Sequence, residues 1–159
     1  MLLMKKLLNK LYQNHAQIFK PADEPDLRAL RMNMAKDKMP PLPTDYVQFL
    51  MLADGLMFNG LRFFGVNAHE RDKANYTYPD LFNVNKDFYA RNRRQDVLIV
   101  GEKDEDWLIY SSKQKTFQVM DKLDLVPDLD LPRFFDLIYF FTQDVLNNPD
   151  AFTATPEDK

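Results

Sequence analysis

The sequence predicts an α+β fold, an antiparallel β-sheet drawn mostly from the second half of the chain and flanked by helices. Three observations carry that expectation. Over residues 3–19 the apolar positions recur at three-and-four spacing, which is one face of an amphipathic helix. Three short β-rich runs, Val97-Leu98-Ile99-Val100-Gly101, Trp107-Leu108-Ile109-Tyr110 and Thr116-Phe117-Gln118-Val119-Met120, follow one another across charged turns, as in an antiparallel meander. A last run, residues 134–146, is apolar on more than one face, so a largely buried helix closes the chain. With 159 residues, 45% of them hydrophobic and 13% aromatic, one core suffices and disorder is excluded for most of the length.

Each element has a local cause. The first helix stops before Pro21, and residues 20–25 read as a connector because each Pro disfavours helix in the residue before it. Asp26 is placed to cap a second helix over residues 27–37, with Leu27, Leu30 and Met34 on its inner side. Met39-Pro40-Pro41-Leu42-Pro43 is an extended lead-in, after which Thr44 or Asp45 caps a helix whose apolar face is Tyr46, Val47, Phe49, Leu50, Leu52 and Ala53. Gly55 stands where helices commonly end in a left-handed residue. Asn59-Gly60 signals a turn and residues 61–66 a strand. Residues 67–78 read as a polar loop, and Asp80 as the cap of a short helix through Leu81, Val84, Phe88 and Tyr89. After the meander, Asp121, Asp124, Asp128 and Asp130 alternate with Leu123, Leu125, Val126, Leu129 and Leu131, the pattern of an extended segment with one face in and one out. Pro132 opens the closing helix and Asn147-Asn148-Pro149 ends it. The expected organisation is an N-terminal amphipathic helix over residues 1–20, one α+β domain over 26–148 and a flexible tail over 149–159.

Composition removes whole classes of function. There is no Cys, hence no disulfide scaffold, zinc ribbon, iron–sulfur cluster or thiol nucleophile, and a reducing, cytoplasmic setting is expected. No apolar run approaches the roughly 18–20 residues that cross a bilayer, and no membrane partner is expected. Residues 1–95 carry 15 Lys and Arg against 10 Asp and Glu, whereas residues 96–159 carry 6 against 14. The only local basic run is Arg91-Asn92-Arg93-Arg94, with no interleaved aromatics, so nucleic acid is not an expected ligand.

Subtraction disposes of most catalytic readings. Ser occurs only at 111 and 112 and His only at 15 and 69, which supplies no Ser-His-Asp triad. His69-Glu70-Arg71-Asp72 gathers titratable groups but lacks a second His for a metal, and reads as a solvated loop. Gly55, Gly60, Gly65 and Gly101 are turn and strand-end residues, with no phosphate-cradling spacing. No cofactor, metal or catalytic residue is expected. Glu102, Asp104, Glu105 and Asp106 pack four carboxylates into five positions between two strands, and Asp121 and Asp124 continue the acidic theme. The turn reads first as solvated, then as the contact surface for a basic partner, and last as a metal or acid–base site, for which it lacks the ligand spacing and the Gly of a calcium loop; if the two stretches pack together they form one acidic ridge.

One ordered set of motifs is familiar. Leu42-Pro43-Thr44-Asp45-Tyr46-Val47-Gln48-Phe49-Leu50, then Ala53-Asp54-Gly55-Leu56, then Phe58-Asn59-Gly60-Leu61-Arg62-Phe63-Phe64-Gly65-Val66 resembles the SUKH superfamily, in particular its YrhA-like branch. Asp80-Leu81-Phe82-Asn83-Val84-Asn85, the hairpin from Val97 to Tyr110 and the closing helix resemble later family motifs in the same order, so the likeness covers residues 26–148. Asp54 departs from it, standing where the family often has Asn. The resemblance implies an α+β fold without enzymatic activity and, in many bacterial members, an immunity protein that binds and neutralises a toxin domain of a polymorphic toxin system, often a nuclease. As the alternative, other members are regulatory or scaffolding modules that bind an endogenous protein. The partner is then a cognate toxin domain or another protein, with Glu102, Asp104, Glu105, Asp106, Asp121 and Asp124 as the candidate contacts; the family motif itself does not single these residues out.

Overall fold

The computed structural model describes residues 2–70 and 77–146. In chain order its elements are α1 (Leu2–Gln13), β1 (Gln17–Ile18), α2 (Glu24–Lys36), α3 (Thr44–Leu50), β2 (Leu56–Phe58), β3 (Leu61–Phe63), β4 (His69–Glu70), β5 (Thr77–Tyr78), α4 (Leu81–Asn92), β6 (Val97–Lys103), β7 (Asp106–Ser111), β8 (Thr116–Asp121), β9 (Pro127–Leu131) and α5 (Phe134–Leu146). The fold is α+β. Seven strands form one antiparallel sheet in the order β1-β2-β3-β6-β7-β8-β9, while β4 and β5 pair in a separate small ribbon. Each strand of the large sheet therefore lies beside the next one in sequence.

Helices cover both faces. Successive side chains of a strand point to opposite sides, so Trp107, paired with Met120, and Tyr110, paired with Phe117, face opposite ways. Phe88 of α4 meets Trp107 edge-on at 6.2 Å on one face. On the other, Phe134 at the start of α5 packs against the rings of Tyr46, Phe49, Phe63 and Phe117, with centroids 4.8 to 5.7 Å apart. These edge and tilted contacts are the arrangements that ring quadrupoles favour. The N-terminal helix belongs to the same core, because Leu7, Leu8 and Leu11 are buried in it.

Several local expectations are revised. The first helix ends at Gln13 and not at residue 19. His15 turns left-handed (φ 72), Ala16 N–H donates to Leu11 O and His15 N–H to Tyr12 O, and the reversal frees Gln17 and Ile18 to pair with Met57 and Leu56. The second helix begins three residues early: Asp23 caps it by accepting from Asp26 N–H, and Pro25 sits in the first turn, where its missing N–H costs nothing. Neither Thr44 nor Asp45 caps α3, whose N-cap is Pro43. Gly55 lies beyond the helix end, at the entry to β2. The Asn59-Gly60 pair, at φ 49 and 82, is the two-residue hairpin turn that the strand twist favours, and β2 and β3 are its arms.

The segment read as a polar loop instead contributes β4 and β5, with Tyr78 fully buried. The acidic alternation beyond β8 is inward only in part: Leu125 and Leu131 pack against the core, but β9 is exposed along nearly its whole length, Leu125 and Leu129 are left-handed (φ 57 and 62), and the β8 register shifts between Phe117 and Val119. The closing helix is largely buried, as expected: Phe134, Leu137, Ile138, Thr142 and Leu146 lie inside, Phe135, Tyr139, Phe141 and Val145 pack against the core from its flanks, and Phe140 is exposed. Its expected stop at Asn147-Asn148-Pro149 and the tail lie outside the described residues.

Candidate functional site

The sheet's pairing decides where the six candidate carboxylates go. β6 and β7 are joined by the two-residue loop Asp104-Glu105, in which Asp104 takes the left-handed conformation (φ 52) that Asp tolerates. Glu102 pairs in register with Trp107, and Asp106 with Asp121. By the pleat, Glu102 and Trp107 face the α4 side, whereas Asp106 and Asp121 face the α5 side. The two acidic stretches do pack side by side, Asp121 against Asp106, but Glu102 turns away from them to the other face.

On the α4 side the charges are neutralised. Lys122 Nζ donates to Glu102 Oε1 at 2.7 Å and lies 4.6 Å from the Trp107 ring centre, a salt bridge and a cation–π contact made by one ammonium. These groups line a cleft of about 500 Å³ against Phe88, Asp87 and Arg91, and Asp87 is itself paired with Arg91 at 3.2 Å. The sequence reading overlooked this cleft, since only the register brings Lys122 back over Trp107.

On the α5 side like charges face each other. The Asp106 carboxyl is held above the usual Asp range, first by its partial burial and then by the negative charges of Asp121, Asp104 and Glu105. Asp104 is bonded to Lys103 Nζ at 2.9 Å. Asp121 Oδ1 accepts from Leu123 and Asp124 N–H, and Asp124 Oδ1 accepts from Val126 N–H, so both carboxylates brace the turn between β8 and β9. That turn presents Leu123, 89% exposed, and Val126, 60% exposed, beside the acids. Apolar prongs between carboxylates were not foreseen, because the alternation suggested that these side chains turned inward.

His69 is not in a solvated loop. Its ring stacks on Phe19 with centroids 4.0 Å apart, and Nε2 bonds to the Asp54 carboxylate at 3.0 Å and to the Asp54 carbonyl at 2.8 Å. Asp54 is 1% exposed and also accepts from the N–H groups of Val66 and Asn67 and from Asn67 Nδ2. A β-carbon at position 65 would strike the Asp54 carbonyl and carboxylate, which is why Gly is needed there. Asp54 thus ties the end of the α3 segment to the strand leaving the β2–β3 hairpin, so the residue that departs from the motif is a structural latch. Arg71 and Asp72 lie outside the described residues. Among the described residues no three His, Asp or Glu side chains converge as a metal site, and no helix is long and apolar enough to cross a membrane.

No family model and no curated protein matches this chain. The likeness to the SUKH superfamily rests on the sequence motifs alone.

Proposed function

We propose that this chain is a non-enzymatic protein-binding module acting in the cytoplasm, an immunity protein that neutralises a cognate toxin domain by covering a basic surface with its acidic hairpin end. The observation that carries the reading is the in-register pairing of Asp106 with Asp121 beside Asp104 and Glu105. Like charges directly opposite on a sheet oppose folding, and Leu123 and Val126 stand exposed next to them. A basic, partly apolar partner surface relieves both features: its cations offset the carboxylates, which raises the association rate and fixes orientation, and its apolar atoms cover the two prongs. A nuclease toxin has such a surface where it holds its own polyanionic substrate, and occupying it blocks access. Glu102 contributes least, being already paired with Lys122.

The test is co-expression with any toxin domain that the neighbouring genes encode. Wild-type chain protects the cells, and the Asp106→Lys/Asp121→Lys variant, folded by circular dichroism, loses protection and binds the toxin domain at least tenfold more weakly. Undiminished protection by that variant overturns the assignment of the surface, and absence of binding by the wild-type chain overturns the function.

A further inference from the structure

The large sheet runs in chain order, so its first and last strands are its two edges. β1 lies at one edge and β9 at the other, and seven strands at about 4.8 Å spacing set those edges about 30 Å apart; α1 packs on β1 and on α5. The outer face of α1 is exposed at Leu2, Leu3, Lys5, Lys6, Asn9 and Tyr12. Leu2 is 68%, Leu3 54% and Tyr12 68% exposed. No acidic residue precedes Asp23, and among the described residues neither Lys5 nor Lys6 has an ion-pair partner. This helix face is apolar and cationic, and the opposite edge, with Leu123 and Val126 among carboxylates, is apolar and anionic.

The two surfaces also open to the same side. α1 packs on α5, and Asp106 and Asp121 share the sheet face that α5 covers, as does Phe117, whose ring meets Phe134 of α5. α5 exposes Phe140, 42% accessible. A surface that reads cationic, apolar, anionic is complementary to itself under a two-fold rotation, and a two-fold contact closes without leading to a filament.

We infer that the exposed face of α1 docks on the acidic β8–β9 edge of a second copy of this chain, each copy giving one contact and receiving the other. The inference rests on no property of a toxin. Since it uses the same acidic edge, the second copy and a basic partner exclude each other.

Sedimentation velocity on the full chain tests it. At about 0.1 M salt, where charges act over about 10 Å, the wild type is a dimer, and at about 1 M salt, where they act over about 3 Å, dissociation is at least tenfold easier. The Lys5→Glu/Lys6→Glu variant is monomeric, and so is Asp106→Lys/Asp121→Lys. Mixed in equal amounts the two variants form a heterodimer, since each now offers what the other lacks; this recovery also shows that both are folded. A wild type that is monomeric at low salt, a Lys5→Glu/Lys6→Glu variant that dimerises like the wild type, or a mixture that fails to pair overturns the inference. A monomeric wild type that sediments with phosphatidylglycerol vesicles overturns it in favour of an anionic bilayer as the occupant of α1.

Discussion

At the centre of the sheet and at its β9 edge, polar side chains bond to the backbone, but with different consequences. In the centre, Tyr46 donates to Phe64 O, Tyr78 to Phe63 O at 2.7 Å, and Asn85 both donates to Ile99 O and accepts from Ile99 N–H, all fully buried. At the edge, Asp121, Asp124 and Asp128 accept from the N–H groups of nearby residues in contact with water. A buried polar bond is costly to lose because the stranded partner finds no solvent, whereas an exposed one is exchanged for water at little net cost. Stability is thus concentrated in the centre, and the edge is free to carry charges and apolar prongs suited to contact with another molecule.

The largest effect that sharpens this contrast is expected at Asp54. Asp54→Ala leaves Val66 N–H and Asn67 N–H without their acceptor and takes the carboxylate away from the Asn67 amide and from His69 Nε2, which keeps the backbone carbonyl of residue 54, and costs about 3 kcal/mol. Urea denaturation reads it as a fall in midpoint with an unchanged slope. A loss no greater than that of an edge substitution breaks the contrast. A medium effect belongs to Asp45, whose carboxylate accepts from Phe134 N–H at 2.6 Å and so caps α5 across 89 residues. Asp45→Ala costs about 1 kcal/mol, again by urea midpoint.

The smallest effect has the opposite sign. Asp106→Asn removes one member of a like-charge pair and stabilises the protein by about 0.5 kcal/mol at neutral pH. The Asp106 carboxyl is raised in the folded state, by burial first and then by Asp121, Asp104 and Glu105, so its ionisation opposes folding: its favourable contribution is complete below the unfolded Asp range and lost as pH rises through the folded value. The advantage of the Asp106→Asn variant over the wild type therefore disappears on acidification below about pH 4. Thermal melts of both proteins across that range check the sign, and an advantage that grows as pH falls contradicts it.

Elements whose cause is local were legible in the sequence. Asp80 caps α4 through Asn83 N–H, Asn59-Gly60 turns the first hairpin, and the three β-rich runs are β6, β7 and β8. What escaped depends on partners far along the chain. β1 is two residues long, and its partners at 56 and 57 are supplied by a hairpin that no pattern near residue 17 announces. His15 ends α1 without the Gly that normally marks such a stop. Asp45 looks like a cap for its own helix, and only packing reveals that it serves α5. For the acidic set, composition indicated charge, but the separation of Glu102 from Asp106 and Asp121 needed the register, which shifts at a bulge between Ile99 and Gly101.

The bonding along β9 bears on how the molecule behaves when crowded. Leu129 N–H is taken by the Asp128 carboxylate and Val126 N–H by Asp124, Pro127 has none to give, and Leu129 breaks the extended run. A strand arriving from another molecule finds no continuous row of donors on which to extend the sheet, so concentrated solutions are protected from amyloid-like growth at this margin even though greasy side chains project from it.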